Sequence, residues 1–158
     1  MSEDFALRLQ RLEDRIAISE RVITYAVAID RADWGLLRDC LTETVHIDFS
    51  AAGMPARDML RDDFTAFAEA GLSVFAARQH LSPNHLITFN AADRDHAVCL
   101  SYMFAQHYQP GAVSGDVFLM HGAYINDMRR TPEGWKIARL TQQLSWMDGA
   151  PEVPPGAV

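Results

Sequence analysis

The chain has 158 residues, of which 49% are hydrophobic, and a formal net charge of −7 at neutral pH. This length favours a single domain, large enough to form a core without a disulfide or a structural metal. The only lysine is Lys136 and the arginines are scattered, so the basic surface that phosphate binding requires is missing. We therefore expect neither nucleic acid nor an anionic membrane as a partner.

The cysteines and the amino terminus indicate a reduced compartment. Cys40 and Cys99 lie in apolar patterns, with no Cys or His at zinc-binding spacing, so we expect two buried thiols and no metal site. The first residues are charged and amphipathic, unlike a signal peptide, and no apolar run reaches membrane-spanning length. We expect a cytoplasmic protein.

The first third of the sequence has a helical period. Apolar residues recur at steps of three and four, which predicts one long helix that buries this stripe and ends near residues 30–32. Ser19 could mark a kink or a second helix start. Asp33 is expected to cap a short helix over residues 34–41. The apolar residues of this pattern are Phe5, Leu9, Leu12, Ile16, Val22, Ile23, Ala26 and Ile29.

The remainder reads as one strand, one helix and then a run of strands. Residues 44–50 alternate between apolar and polar, which predicts a strand with one wet face. Residues 51–55 form a turn, and residues 61–77 suit a helix capped by Asp62 or Asp63. Long strands follow over 79–90, 97–108, 116–129 and 135–147, separated by turn-forming residues.

This order of elements predicts the fold class. Helices first and strands later indicate α+β, and long neighbouring strands must twist and coil. We expect a cone-shaped, strongly bent antiparallel sheet, a half-barrel, covered by about three helices and enclosing one apolar pocket. Residues 1–148 would form this domain and residues 149–158 a Pro-rich arm.

Several polar residues lie in apolar surroundings. Asp30 lies at the end of the apolar helical run. It is either a surface residue that ends the helix or a functional carboxylate. His80 and His85 flank an irregular Pro83–Asn84 segment, and their spacing is not that of a metal pair. His107 has the same strand parity as Ser101, Met103 and Ala105. The sequence has no Gly-x-Ser-x-Gly motif and no glycine-rich phosphate loop, so we expect no nucleotide and no other cofactor.

Three segments carry a resemblance to a known family. Residues 12–49 (LEDRIAISERVITYAVAIDRADWGLLRDCLTETVHIDF), residues 78–87 (RQHLSPNHLI) and residues 134–140 (GWKIARL) resemble the SnoaL-like, nuclear-transport-factor-like superfamily. More narrowly, they resemble its branch with scytalone dehydratase and hexachlorocyclohexane dehydrochlorinase, and residues 154–158 (PPGAV) are similar to the dehydrochlorinase tail.

The resemblance implies a cone fold with a deep apolar cavity and a catalytic pair, His80 and Asp30. His107 would be a second pocket histidine. Tyr25, five residues before Asp30, is a further substrate-binding candidate, although the family tyrosine directly precedes the aspartate, where this chain has Ile29. We add Trp34 and His85 to the substrate-binding candidates and assign no role to His121, Arg129 or Arg130.

The leading functional hypothesis is a cofactor-free lyase, a dehydratase or dehydrohalogenase, that acts on a small apolar cyclic molecule by His–Asp general acid–base catalysis. Alternatives are an isomerase or cyclase with the same pair, a ligand-binding protein, or a small (beta) subunit of a ring-hydroxylating oxygenase. We also expect a homodimer or homotrimer, because Tyr102, Phe104 and Tyr108 would lie on an outer sheet face.

Overall fold

The computed structural model describes residues 3–151, which form three α-helices and seven β-strands. The PPGAV segment and most of the predicted Pro-rich arm lie outside these residues. The helices are α1 (Glu3–Arg31), α2 (Trp34–Asp39) and α3 (Arg61–Leu72). The strands are β1 (Leu41–Phe49), β2 (Met54–Leu60), β3 (Ala77–Leu81), β4 (Leu86–Phe89), β5 (His96–Tyr108), β6 (Val117–Thr131) and β7 (Gly134–Asp148).

All seven strands belong to one curved sheet that does not close on itself. The order is β2-β1-β7-β6-β5-β3, and β4 also pairs with β5. The predicted α+β class is confirmed. The prediction of a purely antiparallel sheet was wrong in one pair, because β1 runs parallel to β7. Most of the chain lies between β1 and β7 in sequence. A parallel pair needs a long connection of this kind, because a short hairpin can join only antiparallel strands.

The curvature of the sheet has a local cause in the β6–β7 pair. The register shifts between His121 and Gly122, so that Ser145 is an extra residue in β7. A Cβ at Gly122 would lie 1.8 Å from the carbonyl oxygen of Gln143, so the close approach of β7 depends on glycine. Bulges of this kind bend a strand and increase its twist.

The first helix is continuous, but its amino-terminal half buries a different face from the predicted one. Phe5, Leu9, Leu12 and Ile16 are exposed, whereas Asp14 is buried. Arg130 donates to Oδ2 of Asp14 at 2.7 Å, and Trp135 Nε1 donates to Oδ1 at 3.1 Å. The inward face of this half is therefore polar, and the apolar pattern misled the prediction.

The Asp14 cluster also gives Arg130 a structural position. Burial raises the pKa of Asp14, but hydrogen bonds from Arg130, Trp135 and Gln10 outweigh burial and hold that pKa below its usual value. Arg130 additionally donates to Asp95 at 2.9 Å, before β5. The cluster ties α1 to the β6–β7 hairpin.

The middle of the chain confirms some predicted boundaries and corrects others. Asp33 caps α2 by accepting from the backbone N–H of Leu36 at 2.9 Å. The third helix ends at Leu72 rather than at residue 77, and neither Asp62 nor Asp63 caps it, since Leu60 occupies the N-cap position. Strand β2 lies where the sequence predicted a turn leading to a helix, and the predicted 79–90 strand is split into β3 and β4.

The alternation predicted for β5 is confirmed. Ser101, Met103, Ala105 and His107 are buried, whereas Tyr102, Phe104 and Tyr108 are exposed. One parity of the strand therefore lines the interior of the fold. Within residues 3–151, none of the helices combines the length and apolarity needed to cross a membrane.

Candidate active site

A cavity of about 240 Å³ lies between α1, α3 and the inner face of the sheet. Most of its wall is apolar, and its polar side chains come from α1, β3, β5, β6 and β7. The lining residues are Tyr25, Ile29, Phe49, Ala52, Phe64, Phe67, Ala68, Gly71, Leu72, Phe75, His80, Ala105, His107, Phe118, Met120, Tyr124, Gln142 and Pro151. An apolar wall with a few convergent polar groups is typical of a small-molecule site.

Asp30 and His80 meet at the edge of this cavity. Nδ1 of His80 lies 2.8 Å from Oδ1 of Asp30, and the backbone N–H of His80 donates to both carboxylate oxygens, at 3.0 and 2.9 Å. The side chain of His80 is 7% exposed, and that of Asp30 is 22% exposed. A carboxylate only accepts, so this contact places the imidazole proton on Nδ1 and leaves Nε2 free to accept one.

The end of α1 fixes the position of Asp30. The backbone N–H of Asp33 donates to the Ala28 carbonyl at 2.9 Å, and that of Ala32 donates to the Ile29 carbonyl at 3.1 Å. Ala32 adopts φ 55°, the left-handed conformation with which this type of helix end closes. Asp30 is therefore held in the last turn of the helix.

Arg78 joins the ends of two helices beside the pair. Its Nε donates to the carbonyl of Ile29 and its Nη1 to that of Leu72, each at 2.8 Å. A cation at helix carboxyl termini opposes the negative end of each helix dipole. This offsets the cost of placing the Asp30 carboxylate at the end of α1.

His107 lies beside His80 in an aromatic environment. The two imidazole centroids are 5.2 Å apart, and His107 also contacts the rings of Phe75 and Phe118 at 4.6 and 5.5 Å. Burial, followed by the charge of His80, lowers the pKa of His107 to about 4. His107 is thus a neutral imidazole at neutral pH, and its buried Nδ1 has no hydrogen-bond partner among the described residues.

Two phenols also line the cavity. The rings of Tyr25 and Tyr124 pack edge to face, with centroids 6.4 Å apart. Burial raises the pKa of Tyr25 well above its usual value and that of Tyr124 to about 12. Both hydroxyls therefore remain protonated and able to donate a hydrogen bond.

Sequence reasoning identified Tyr25 but missed Tyr124 and Gln142. On β6, Tyr124 shares its parity with Phe118 and Met120, both of which line the cavity. That alternation is visible in the sequence. It does not reveal which face of β6 is concave, because that depends on the curvature of the whole sheet.

Two of the predicted substrate-binding residues do not line this cavity. The ring of Trp34 lies under Arg78, with the guanidinium 5.5 Å from its centroid. His85 lies in a separate surface groove, where Nδ1 is 2.6 Å from Ser19 Oγ and Nε2 is 2.6 Å from the Ser82 carbonyl oxygen. Of the six predicted site residues, the structure brings together Asp30, His80, His107 and Tyr25 at the cavity.

The remaining histidines have other surroundings. His46 pairs with Asp58 at 2.7 Å on the exposed face of β1 and β2. His121 stacks on Trp146 with centroids 4.0 Å apart, on the outside of the sheet. No group of three or more His, Cys, Asp or Glu side chains in the described part of the chain is arranged to hold a metal ion.

Comparison with solved structures supports the fold. A proposed aromatic ring hydroxylase from Novosphingobium aromaticivorans is 26% identical, covers 88% of this chain and 94% of its own, and has a TM-score of 0.78. A proposed scytalone dehydratase from the same organism is 19% identical, with coverages of 92% and 95% and a TM-score of 0.76.

A hexachlorocyclohexane dehydrochlorinase of type 2 is 18% identical, covers 94% of this chain and 99% of its own, and has a TM-score of 0.77. A search of curated proteins finds no match. The family model of the SnoaL-like domain matches residues 10–141. This match covers both Asp30 and His80 and most of the cavity wall, and the chain belongs to the SnoaL-like domain family.

Proposed function

We propose that the chain is a cofactor-free lyase that catalyses β-elimination from a small, largely apolar cyclic molecule. The observation that carries the proposal is the Asp30–His80 hydrogen bond at the edge of an apolar cavity. With Nδ1 held by Asp30, Nε2 of His80 is the base. The neighbours named dehydratase and dehydrochlorinase support elimination as the reaction class.

In the proposed step, Nε2 of His80 takes a proton from a substrate carbon. The electron pair of the broken C–H bond forms a C=C bond, and the bond from the adjacent carbon to hydroxide or halide breaks. The Asp30 carboxylate stabilises the imidazolium that forms, as the aspartate of a catalytic triad does. The attraction between the carboxylate and the imidazolium is stronger in apolar surroundings than in water.

Departure of the leaving group requires a donor that is still protonated at neutral pH. Tyr25 and Tyr124 meet this condition because burial raises the pKa of each hydroxyl. The neutral imidazole of His107 is a poorer donor, because its ring already forms a hydrogen bond with the backbone of Phe118. General acid assistance of this kind contributes roughly 10²- to 10⁴-fold to a rate.

The size of the cavity restricts the substrate class. An apolar cavity of about 150 Å³ accommodates benzene, and this one holds about 240 Å³. A molecule with one or two rings and a few oxygen or halogen substituents fits that volume. Phe64, Phe75 and Phe118 offer aromatic faces to such rings.

A proton-shuttling isomerase or cyclase is the second candidate, and the two neutral phenols favour it. Protonated groups in an apolar site stabilise an enolate oxygen in known isomerisation chemistry. In that reaction His80 would return the proton to another carbon and nothing would leave. Deuterium exchange at a substrate carbon in D₂O without loss of a leaving group would select this candidate.

A non-catalytic role is favoured only by the relative named as a ring hydroxylase. A subunit of such an oxygenase would co-purify with an iron–sulfur partner. A ligand-binding protein would bind its ligand without turnover, and Asp30→Asn would leave the affinity unchanged.

The test uses hexachlorocyclohexane, scytalone and a panel of cyclic β-hydroxy ketones, with chloride release and conjugated-product absorbance as readouts. We expect turnover of at least one compound by the wild type and loss of at least roughly 10³-fold in His80→Gln. His46→Gln is the matched control, because His46 forms an equally short pair with Asp58 outside the cavity. Equal rates in the two variants would refute the proposal.

A further inference from the structure

The outer side of α1 carries an apolar stripe that the fold leaves uncovered. Its five residues are each between 43% and 60% exposed. They follow the 4-3-4 spacing of a heptad, with Ser19 at the one polar position. The stripe consists of Phe5, Leu9, Leu12, Ile16 and Ile23.

The stripe lies opposite the face by which α1 joins the domain. Ile18, Val22, Tyr25 and Ile29 point into the core. At 100° per residue, the centre of the stripe is roughly 140° around the helix from them. The stripe thus adds nothing to the core of its own chain, and contiguous exposed apolar residues are typical of interaction sites.

Its pattern matches that of a two-stranded coiled coil. Leu9, Ile16 and Ile23 occupy the a positions, and Phe5 and Leu12 occupy d. Two helices with apolar a and d positions pack side by side along this seam. The stripe is about 27 Å long at 1.5 Å per residue.

The charges beside the stripe distinguish the direction of pairing. Arg8 and Arg15 occupy g positions, and Glu13 and Glu20 occupy e positions. In a parallel pair each g residue faces the e′ residue five positions further along the partner, so Arg8 meets Glu13 and Arg15 meets Glu20. In an antiparallel pair, g faces g and e faces e, which would oppose arginine to arginine.

All four side chains are available for such contacts. They belong to exposed positions of α1, and none forms an ion pair with another described residue. Arg15 lies over the ring of Phe89 at 5.4 Å to the centroid, on the same flank of the helix.

We propose that α1 pairs in parallel with α1 of a second copy of this chain, about a two-fold axis that runs along the helices. The pairing is isologous, so each residue of the stripe lies beside its own counterpart. An isolated coiled coil of under three heptads is marginal because its helices must first form. Here the domain already holds α1 as a helix, so that cost falls away.

The apolar surface continues beyond the helix. Ser19 and Ile23 line a shallow surface groove together with Leu81 and Pro83. Leu81 is 50% exposed, and Leu86 on the neighbouring strand β4 is 65% exposed. A second copy seated along α1 would also cover this rim, which adds buried area to a short seam.

Disulfide crosslinking tests the direction. In a parallel pair, Leu9→Cys and Ile23→Cys each form a disulfide with the same residue of the second copy. In an antiparallel pair, only a residue near the midpoint of the stripe would lie beside the same residue of the second copy. Leu7→Cys is the control, since Leu7 is 43% exposed like Leu9 but lies off the stripe. Crosslinking of only one of the two stripe variants, or equal crosslinking of Leu7→Cys, would overturn the proposal.

Sedimentation equilibrium tests the energetics without relying on a single variant. We expect the dimer dissociation constant to rise roughly 100-fold in Leu12→Asp/Ile16→Asp. It should also rise in Arg8→Glu/Arg15→Glu and recover when Glu13→Arg/Glu20→Arg is added, which a merely misfolded variant could not do. A monomeric wild type at 100 μM, a trimer, or dissociation caused only by Phe104→Asp on the outer sheet face would contradict the proposal.

Discussion

Asp30 binds His80 through both the imidazole and the backbone of that residue. Nδ1 lies 2.8 Å from Oδ1, and the backbone N–H donates to both carboxylate oxygens. One carboxylate thereby orients the ring and fixes the strand that carries it. The pair joins the last turn of α1 to β3, so its geometry follows from how the helix ends.

Replacing Asp30 with Asn tests the orientation of the ring. An amide at this position can donate as well as accept, so it can hold the imidazole in the tautomer whose Nδ1 is the acceptor. Nε2 would then carry the proton and could not act as a base. We expect a loss of roughly 10³- to 10⁴-fold in kcat with the thermal midpoint nearly unchanged, measured against Asp58→Asn as control. A kcat within tenfold of wild type would contradict this role.

His107 should make stability depend on pH in a defined window. Its pKa is about 4 in the folded state against 6.5 in the unfolded state, so only the unfolded chain gains a proton as pH falls from 6.5. The free energy of unfolding therefore declines from pH 6.5 to about 4, by about 3 kcal/mol in total.

Urea unfolding of wild type and His107→Gln over pH 4–7 measures this contribution. Carboxylates also titrate there, so the quantity to compare is the difference between the two proteins. We expect that difference to change by up to about 3 kcal/mol in favour of the variant as pH falls. Parallel curves would show that His107 is protonated equally in both states.

Tyr25 should matter for turnover and not for folding. Tyr25→Phe removes one hydroxyl and keeps the packing of the ring, so stability should stay within about 0.5 kcal/mol. If the phenol assists the leaving group, kcat falls roughly 10²-fold while KM changes little. The same assay on Tyr124→Phe shows which phenol acts, and a normal kcat in both variants would remove the phenols from the mechanism.

Arg129 and Arg130 are adjacent but should differ in their effect on stability. Arg130→Met leaves the buried Asp14 without its cationic partner, which we expect to cost about 2 kcal/mol. Arg129→Met removes only an exposed pair with Asp93, a loss below about 0.5 kcal/mol. Thermal unfolding of both variants measures the contrast, and equal losses would argue against a structural role of the Asp14 cluster.

The parts of the fold that the sequence predicted correctly have local causes. Asp33 starts α2 because its side chain accepts from Leu36, and the alternation in β5 separates His107 from Tyr108. The first helix was predicted to bury Phe5, Leu9, Leu12 and Ile16, because apolarity alone cannot reveal that Asp14 faces inward. That carboxylate is buried through contacts with Arg130 and Trp135, more than a hundred residues away.

Other misses have equally physical reasons. Strand β2 contains Pro55 and two charged residues and is largely exposed, so it lacks the apolar alternation that predicts a strand. The third helix ends early because Phe75 leaves it and packs on His107. Within the site, Asp30 and His80 were found by resemblance, whereas Tyr124 and Gln142 depend on a bulge and on sheet curvature that no local pattern encodes.

Chemical rescue of His80→Ala tests the central claim most directly. That substitution leaves a space beside Asp30 that an imidazole molecule can enter. If Nε2 of His80 is the base, turnover of the best substrate falls by at least roughly 10³-fold, and added imidazole restores part of it in a saturable manner while leaving His46→Ala unaffected. Retention of activity within tenfold in His80→Ala, or its loss with no response to imidazole in a folded variant, would contradict the account.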